Sequence, residues 1–186
     1  MQPAELAADL RAHRPGAVGD LLAQFGREIQ GVAYLILRNH QDAEEIVIDT
    51  LLTAWKRSGD LRDDTALRAW LHRIATRHAL SRRRRQRPVQ SLDPSVSAPA
   101  APGSQPSLDR LIVAEAMSGL PPQIRAAVAL HHYAGLTVPE VAEAMGKSQN
   151  TVKSQLRIGL ARLRTALAEP ASTPTPERTG TDARRA

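Results

Sequence analysis

The stretch TVPEVAEAMGKSQNTVKSQLR, Thr137 to Arg157, decides the fold. It reads as helix, tight turn, helix. Thr137 and Glu140 have the spacing of a capping box, in which a hydroxyl and a carboxylate satisfy each other's orphan backbone N–H groups. Pro139 falls in the first turn, where a missing N–H costs little. Val138, Val141, Ala142 and Met145 make a short apolar face, and Gly146 stands where a left-handed C-cap is expected. Ser148 offers an oxygen to cap a second helix. Val152, Leu156, Leu160, Leu163 and Leu167 recur at steps of three and four, so that helix is long and one-faced. Its other face begins with Gln149, Asn150, Lys153, Ser154 and Arg157, side chains that reach base edges and phosphates. A two-helix unit with a polar, basic second helix is the helix-turn-helix pattern for entering a major groove. The stretch alone also fits a plain helical hairpin whose polar face only meets water.

Composition narrows the choice. A chain of 186 residues holds one or two domains. It has no cysteine, which removes disulfides and thiolate metal sites. No apolar run approaches a membrane span, and MQPAELAADLRAHRPG lacks the basic-then-apolar order of a signal peptide. A soluble cytoplasmic protein without membrane insertion is expected. The net charge of +6 is unevenly placed. Residues 1–66 hold seven Lys/Arg and eleven Asp/Glu, whereas residues 67–87 hold eight Arg and no acid. One short basic block points to a polyanionic partner.

The rest of the chain is helical in pattern. A short helix is expected over 4–13, anchored by Leu6 and Leu10. A long one runs from Ala17 to Leu37. From Asp42, a plausible N-cap, to Arg57, the residues Ala43, Ile46, Val47, Thr50, Leu51, Ala54 and Trp55 form a complete core stripe. Glu45, Ile48, Asp49, Leu52 and Lys56 line up away from it. This acid-rimmed apolar patch is either a protein contact site or a face covered by another helix of the same domain. A polar loop spans 58–65. A third helix, Ala66 to Arg85, has Leu67, Trp70, Leu71, Ile74, Ala75 and His78 as its core stripe. Arg73, Thr76, Arg77, Ser81 and Arg84 lie opposite and suit a nucleic-acid backbone. Residues 88–106, with Pro88, Pro94, Pro99, Pro102 and Pro106, read as an extended linker. Beyond it, Ser107 is placed to cap a helix carrying Leu108, Leu111, Ile112 and Met117. Gly119-Leu120-Pro121-Pro122 restarts a helix with Ile124, Ala127, Val128 and His131 on its buried side. After Glu169 a Pro/Thr-rich tail, 170–186, is expected to be disordered. The fold class is all-α: two small helical domains, 1–87 and 107–169, on a Pro-rich linker.

Catalytic chemistry finds little support. The carboxylates of 42–49 and 60–64 scatter around surfaces and have no His or Gly-rich loop beside them. His72 and His78 do not share a face, and His131 and His132 diverge on a helix, so no zinc site is read. Neither a phosphate-binding glycine motif nor a Ser or Cys nucleophile context occurs. No enzyme activity, metal or cofactor is expected.

Two motifs in order carry a family resemblance. AEEIVIDTLLTAW followed by LRAWLHRIATRHALSRRRR resembles region 2 of bacterial sigma factors of the extracytoplasmic-function (ECF) type. LPPQIRAAVALHHYAGLTVPEVAEAMGKSQNTVKSQLRIGLARLRTAL resembles their region 4. The resemblance implies an alternative sigma factor that binds core RNA polymerase, through the beta-prime clamp and the beta subunit, and directs initiation at promoters. It implies that Glu45, Ile48, Asp49 and Leu52 dock on the beta-prime clamp helices. It implies that the 58–65 loop captures a flipped non-template base of the minus-10 element. Arg57, Arg62, Arg73, Thr76, Arg77, Ser81, Arg82, Arg84 and Arg85 would hold that strand. Gln149, Asn150, Thr151, Lys153, Ser154 and Arg157 would face the minus-35 duplex, and the linker would thread toward the RNA exit path. Family members are commonly held by an anti-sigma partner.

Departures bear on specificity. The chain has Ile48-Asp49 where Gln-Glu is usual, which makes the docking patch more apolar. Arg77 and Ser81 stand where Asn and Asp are frequent. Asn150 and Gln155 alter the common Gly-Thr-Val-Lys-Ser-Arg run. Two rival readings stay open: a stand-alone helix-turn-helix regulator, which would need a dimer surface, and a polymerase-binding regulator without promoter recognition.

Overall fold

The structure, a computed structural model, describes residues 2–86 and 108–168. The linker and tail expected at 88–106 and 170–186 lie outside them, as do Ser107 and Glu169. Among the described residues every regular element is helical. They are α1 (Pro3–Arg11), α2 (Ala17–Leu37), α3 (His40–Lys56), α4 (Leu67–Arg85), α5 (Leu108–Ser118), α6 (Pro122–Val128), α7 (Val138–Met145) and α8 (Gln149–Ala168). Two single 3-10 turns, Ser58–Asp60 and Asp64–Ala66, shape the polar loop between α3 and α4. A π-turn, Ala129–Tyr133, extends α6.

The first four helices pack around Leu21, Ile29, Val32, Ile36, Ile46, Leu67 and Leu71, each almost wholly buried. Trp70 joins them at 6% exposure. Trp55 is only half-buried and meets the His13 ring edge-on, with 4.5 Å between centroids. α3 begins two residues before the expected start. Arg38 takes a left-handed conformation (φ 61°) that ends α2. Asn39 is therefore the N-cap, and its side chain accepts from the Asp42 N–H at 2.9 Å. Asp42 is capped rather than capping.

The helix-turn-helix follows its local signals. The Thr137 and Glu140 side chains satisfy each other's backbone N–H groups, at 3.5 Å and 2.7 Å. Gly146 closes α7 with φ 62°, a conformation costly for a residue with a Cβ. The Ser148 hydroxyl accepts from the Thr151 N–H at 3.1 Å. α8 packs on α5, α6 and α7 through Val152, Leu156 and Gly159. Its apolar stripe outruns its support. A 20-residue helix is about 30 Å long, whereas α6 has 7 residues and α5 has 11. Leu167, read as core, is consequently 47% exposed, and Ile112 on α5 is 46% exposed.

The two helical groups are not held apart. α7 lies along α4, while α6 and the π-turn lie on α2, and one buried apolar cluster runs through both groups. Gly31 makes this approach possible, because a Cβ there would overlap the Tyr133 ring. Gly159 does the same inside the second group: a Cβ would stand 2.6 Å from Val128 Cγ2 and 3.0 Å from Ile124 Cγ2. Gly159→Val is expected to lower stability by about 1–3 kcal/mol, read as a lower urea midpoint with an unchanged m-value.

Candidate nucleic-acid interface

Three surfaces carry the sequence-expected residues. The first is on α3. Ile48 is 57% and Leu52 50% exposed, and Asp49 lies open between them. No described helix covers them, so the second of the two sequence readings, a face hidden by its own domain, does not hold. Glu45 sits at the edge of this patch and is ion-paired to Arg82 of α4.

The second surface is the loop 57–66 with α4. Arg57, Arg62, Arg77, Arg84 and Arg85 are exposed, and Ser81 and Arg73 are half-buried. Arg57 is held to Asp60 at 2.6 Å and Arg85 donates to the Ser81 hydroxyl at 3.3 Å. Two expected strand contacts are otherwise occupied. Thr76 is fully buried. It follows His72 by one helical turn and shares the face turned to α2, so its hydroxyl cannot reach a ligand. Arg82 bridges α4 to the start of α3, pairing with Glu45 and with Asp42 at 3.2 Å. Its bond to Glu45 raises its already high pKa. Arg73 is ion-paired to Glu143 of α7. Burial lowers its pKa, and the nearby Arg77 and Arg57 act in the same direction. A cavity of about 520 Å³ opens beside it, between loop residues Gly59–Asp63, Trp70 and Arg73 on one wall and Glu140, Glu143 and Ala144 on the other.

The third surface is the start of α8. Gln149, Asn150, Thr151, Lys153, Ser154 and Arg157 are all exposed, opposite buried Val152 and Leu156. Gln155, one of the departures noted above, is half-buried with its side-chain oxygen enclosed and unpaired. It therefore faces the fold more than the groove.

A polar junction beneath these surfaces has no counterpart in the sequence reading. The Glu28 carboxylate on α2 accepts from His72 Nε2 at 2.9 Å and from both ends of the Arg68 guanidinium. Arg68 also donates to the Ala134 carbonyl, just after the π-turn. His72 is 1% exposed. Burial pushes the Glu28 pKa up, but the bonds from His72 and Arg68 outweigh it and hold the group below its ordinary 4.5. No sequence spacing links these residues, since the contacts are 40 and 44 positions apart.

Comparison with known proteins fits this geometry. Residues 21–89 match the Sigma-70 region 2 family and residues 110–163 match Sigma-70, region 4. The chain is 31% identical over 157 residues to the ECF RNA polymerase sigma factor SigM of Mycobacterium tuberculosis, across 83% of this chain and 80% of that one. It is 34% identical over 136 residues to SigL of the same organism, across 68% and 75%. The sigma factor RpoE of Bartonella quintana, solved with the anti-sigma factor NepR, superposes with a TM-score of 0.67 at 26% identity, over 82% of this chain and 98% of that one. CnrH, solved with the cytosolic domain of CnrY, shares the fold with a TM-score of 0.65 at 24% identity, over 88% and 96%. The chain belongs to the sigma-70 family and, within it, to the ECF sigma factors. It therefore acts in promoter-specific initiation with RNA polymerase, and the stand-alone regulator is not favoured. The family is one of non-catalytic initiation factors. No described helix is long and apolar enough to cross a membrane.

Because the folded-state pKa of Glu28 is depressed, its stabilising contribution is complete above about pH 4.5 and is lost as pH falls through the folded value. Thermal midpoints taken from pH 6 to pH 3 should fall more steeply for the natural chain than for Glu28→Gln. The variant should already be less stable at pH 6, because His72 loses a charged acceptor.

Proposed function

We propose that residues 1–87 form the unit that docks on polymerase and holds the opened minus-10 strand. Residues 107–169 form the unit that reads the minus-35 duplex. Ile48 and Leu52, rimmed by Asp49 and Glu45, are the docking patch for the beta-prime clamp helices. Arg57, Arg62, Arg77, Arg84 and Arg85 supply the cationic track along the strand, with Arg73 at its centre. The loop 58–65 and the cavity beside it receive an unstacked base, whose extrusion costs a few kcal/mol and is offset by pocket and backbone contacts. Gln149, Asn150, Thr151, Lys153, Ser154 and Arg157 face the major groove.

The observation that carries this reading is the start of α8. All six expected groove residues are exposed on one side of a capped second helix, with Val152 and Leu156 anchoring the other. The buried Thr76 and the paired Arg82 leave the direct contact set. The third reading, polymerase binding without promoter recognition, is less economical, because the exposed arginines and the α8 face would have no role. The protein works in the cytoplasm beside its polymerase. RpoE was solved with an anti-sigma factor, and an inhibitory partner of that kind belongs to the same reading. It would be found by co-purification from cells at rest.

Purified core polymerase with the chain should initiate at a small promoter set in genomic DNA, mapped by transcript 5′ ends. Starts identical to those of core enzyme alone would refute the reading. Asp49→Lys with Leu52→Ala should weaken core binding by about tenfold or more in a pull-down. Arg157→Ala should weaken minus-35 duplex binding across sequences and reduce the slope of log affinity against log salt by about 1.

A further inference from the structure

A charge buried in a protein is normally paired with an opposite charge or an acceptor. Arg125 of α6 departs from this. It is 3% exposed, and its Nε is enclosed without a partner. Among the described residues its guanidinium makes no ion pair or hydrogen bond. α6 packs against α2 and α4. The charged neighbours that act on Arg125 there are further cations, Arg83 in the last turn of α4 and Arg38 at the C-cap of α2. Burial first, then these two arginines, lower the Arg125 pKa to about 10, so the group is still charged at neutral pH.

We propose that Arg125, Arg38 and Arg83 form a binding site for a small dianionic oxyanion of the phosphate class, either free phosphate or the terminal phosphoryl group of a nucleotide. The site is separate from the strand track and from the start of α8, and it stands whether or not those surfaces act as read above.

Charge selects the ligand. Helix C-termini favour cations, which accounts for Arg38 and Arg83 where α2 and α4 end. It does not account for Arg125, because no carbonyl of those ends accepts from it. An unpaired buried guanidinium is strongly destabilising. The acid of the group is Glu115, which pairs with Arg38 at 3.4 Å but is itself 67% exposed, so it offsets the edge and not the buried charge. Three guanidiniums against one carboxylate leave an excess of two positive charges. A phosphoryl group carries about −1.5 to −2 at pH 7, and its oxygens match the guanidinium fork. Arg38 and Arg83 are half-buried, so the group opens to solvent on their side and admits a small anion. A DNA phosphate is a diester with a single charge and a sugar on either side, and it cannot reach a side chain as enclosed as Arg125.

Isothermal titration calorimetry on the full chain, in chloride buffer at constant ionic strength, tests the site with two probes, inorganic phosphate and adenosine 5′-diphosphate. At least one should bind saturably. Arg125→Met keeps the bulk and removes the charge, and it should abolish that binding. Arg38→Gln and Arg83→Gln, at half-buried positions, should each weaken it about tenfold, the loss of one charge-assisted contact. They carry the test alone if Arg125→Met does not fold. Arg27→Gln, exposed on α2, should leave it unchanged. The bound probe should also raise the thermal midpoint of the natural chain more than that of Arg125→Met, since a ligand of the native state adds stability whereas general salt effects act on both. Diphosphate as the tighter probe assigns the site to a nucleotide's phosphoryl end; phosphate as tight or tighter assigns it to the free anion. No saturable binding of either probe to the natural chain would overturn the site. Binding lost in only some of the folded Arg125, Arg38 and Arg83 variants would overturn its three-arginine make-up. Affinities that fall equally at Arg27, or at none of the four positions, would show an adventitious ion only and sink the proposal.

Discussion

The Glu28 carboxylate is the point on which the arrangement turns. It gathers a buried imidazole and a guanidinium from α4 onto α2, and the same guanidinium reaches on to the Ala134 carbonyl. One acidic side chain thus orients three segments that are remote in sequence. Without it, His72 would sit buried with no acceptor and Arg68 would have no charge partner at its inner end. The cost of such orphaned groups is larger than the net gain from an ordinary hydrogen bond. The direction of α4, and hence where Arg73, Arg77 and Arg84 point, follows from this junction as much as from the leucines beneath it.

What could be read from the chain and what could not divide along a physical line. The helix-turn-helix was legible because its signals are local: a reciprocal cap at Thr137 and Glu140, a left-handed glycine at 146, a hydroxyl at 148. The core stripes of α2, α3 and α4 were legible because burial imposes a 3.6-residue period. The junction at Glu28 and the Arg73–Glu143 pair were not, because ion pairs 40 to 70 residues apart leave no periodic trace. Thr76 shows the limit most clearly. A small polar residue one turn from His72 looks like part of a ligand face when His72 is not known to be buried. Leu167 and Ile112 err the other way, since an apolar period predicts a face but not whether anything is long enough to cover it.

Arg82 links two surfaces that the sequence kept separate. It grips Asp42 and Glu45 at the start of α3, and Gln86 adds a bond to Asp42 at 2.8 Å. Glu45 also rims the exposed Ile48 and Leu52. The patch assigned to polymerase and the arm assigned to DNA therefore share an ion pair. A partner that draws Glu45 toward itself would release a guanidinium beside Arg84 and Arg85, increasing positive charge on the strand side. Coulomb coupling over a few ångströms at a half-buried site is strong enough for such an exchange.

Carboxylates on α2, α7 and α3 hold Arg68, Arg73 and Arg82, so three members of the basic block are neutralised within the chain. The remaining described arginines of the block, Arg77, Arg83, Arg84 and Arg85, repel one another along about two turns of helix. A block of this density would attract any polyanion without discrimination. Internal carboxylates on three of its arginines reduce that indiscriminate attraction.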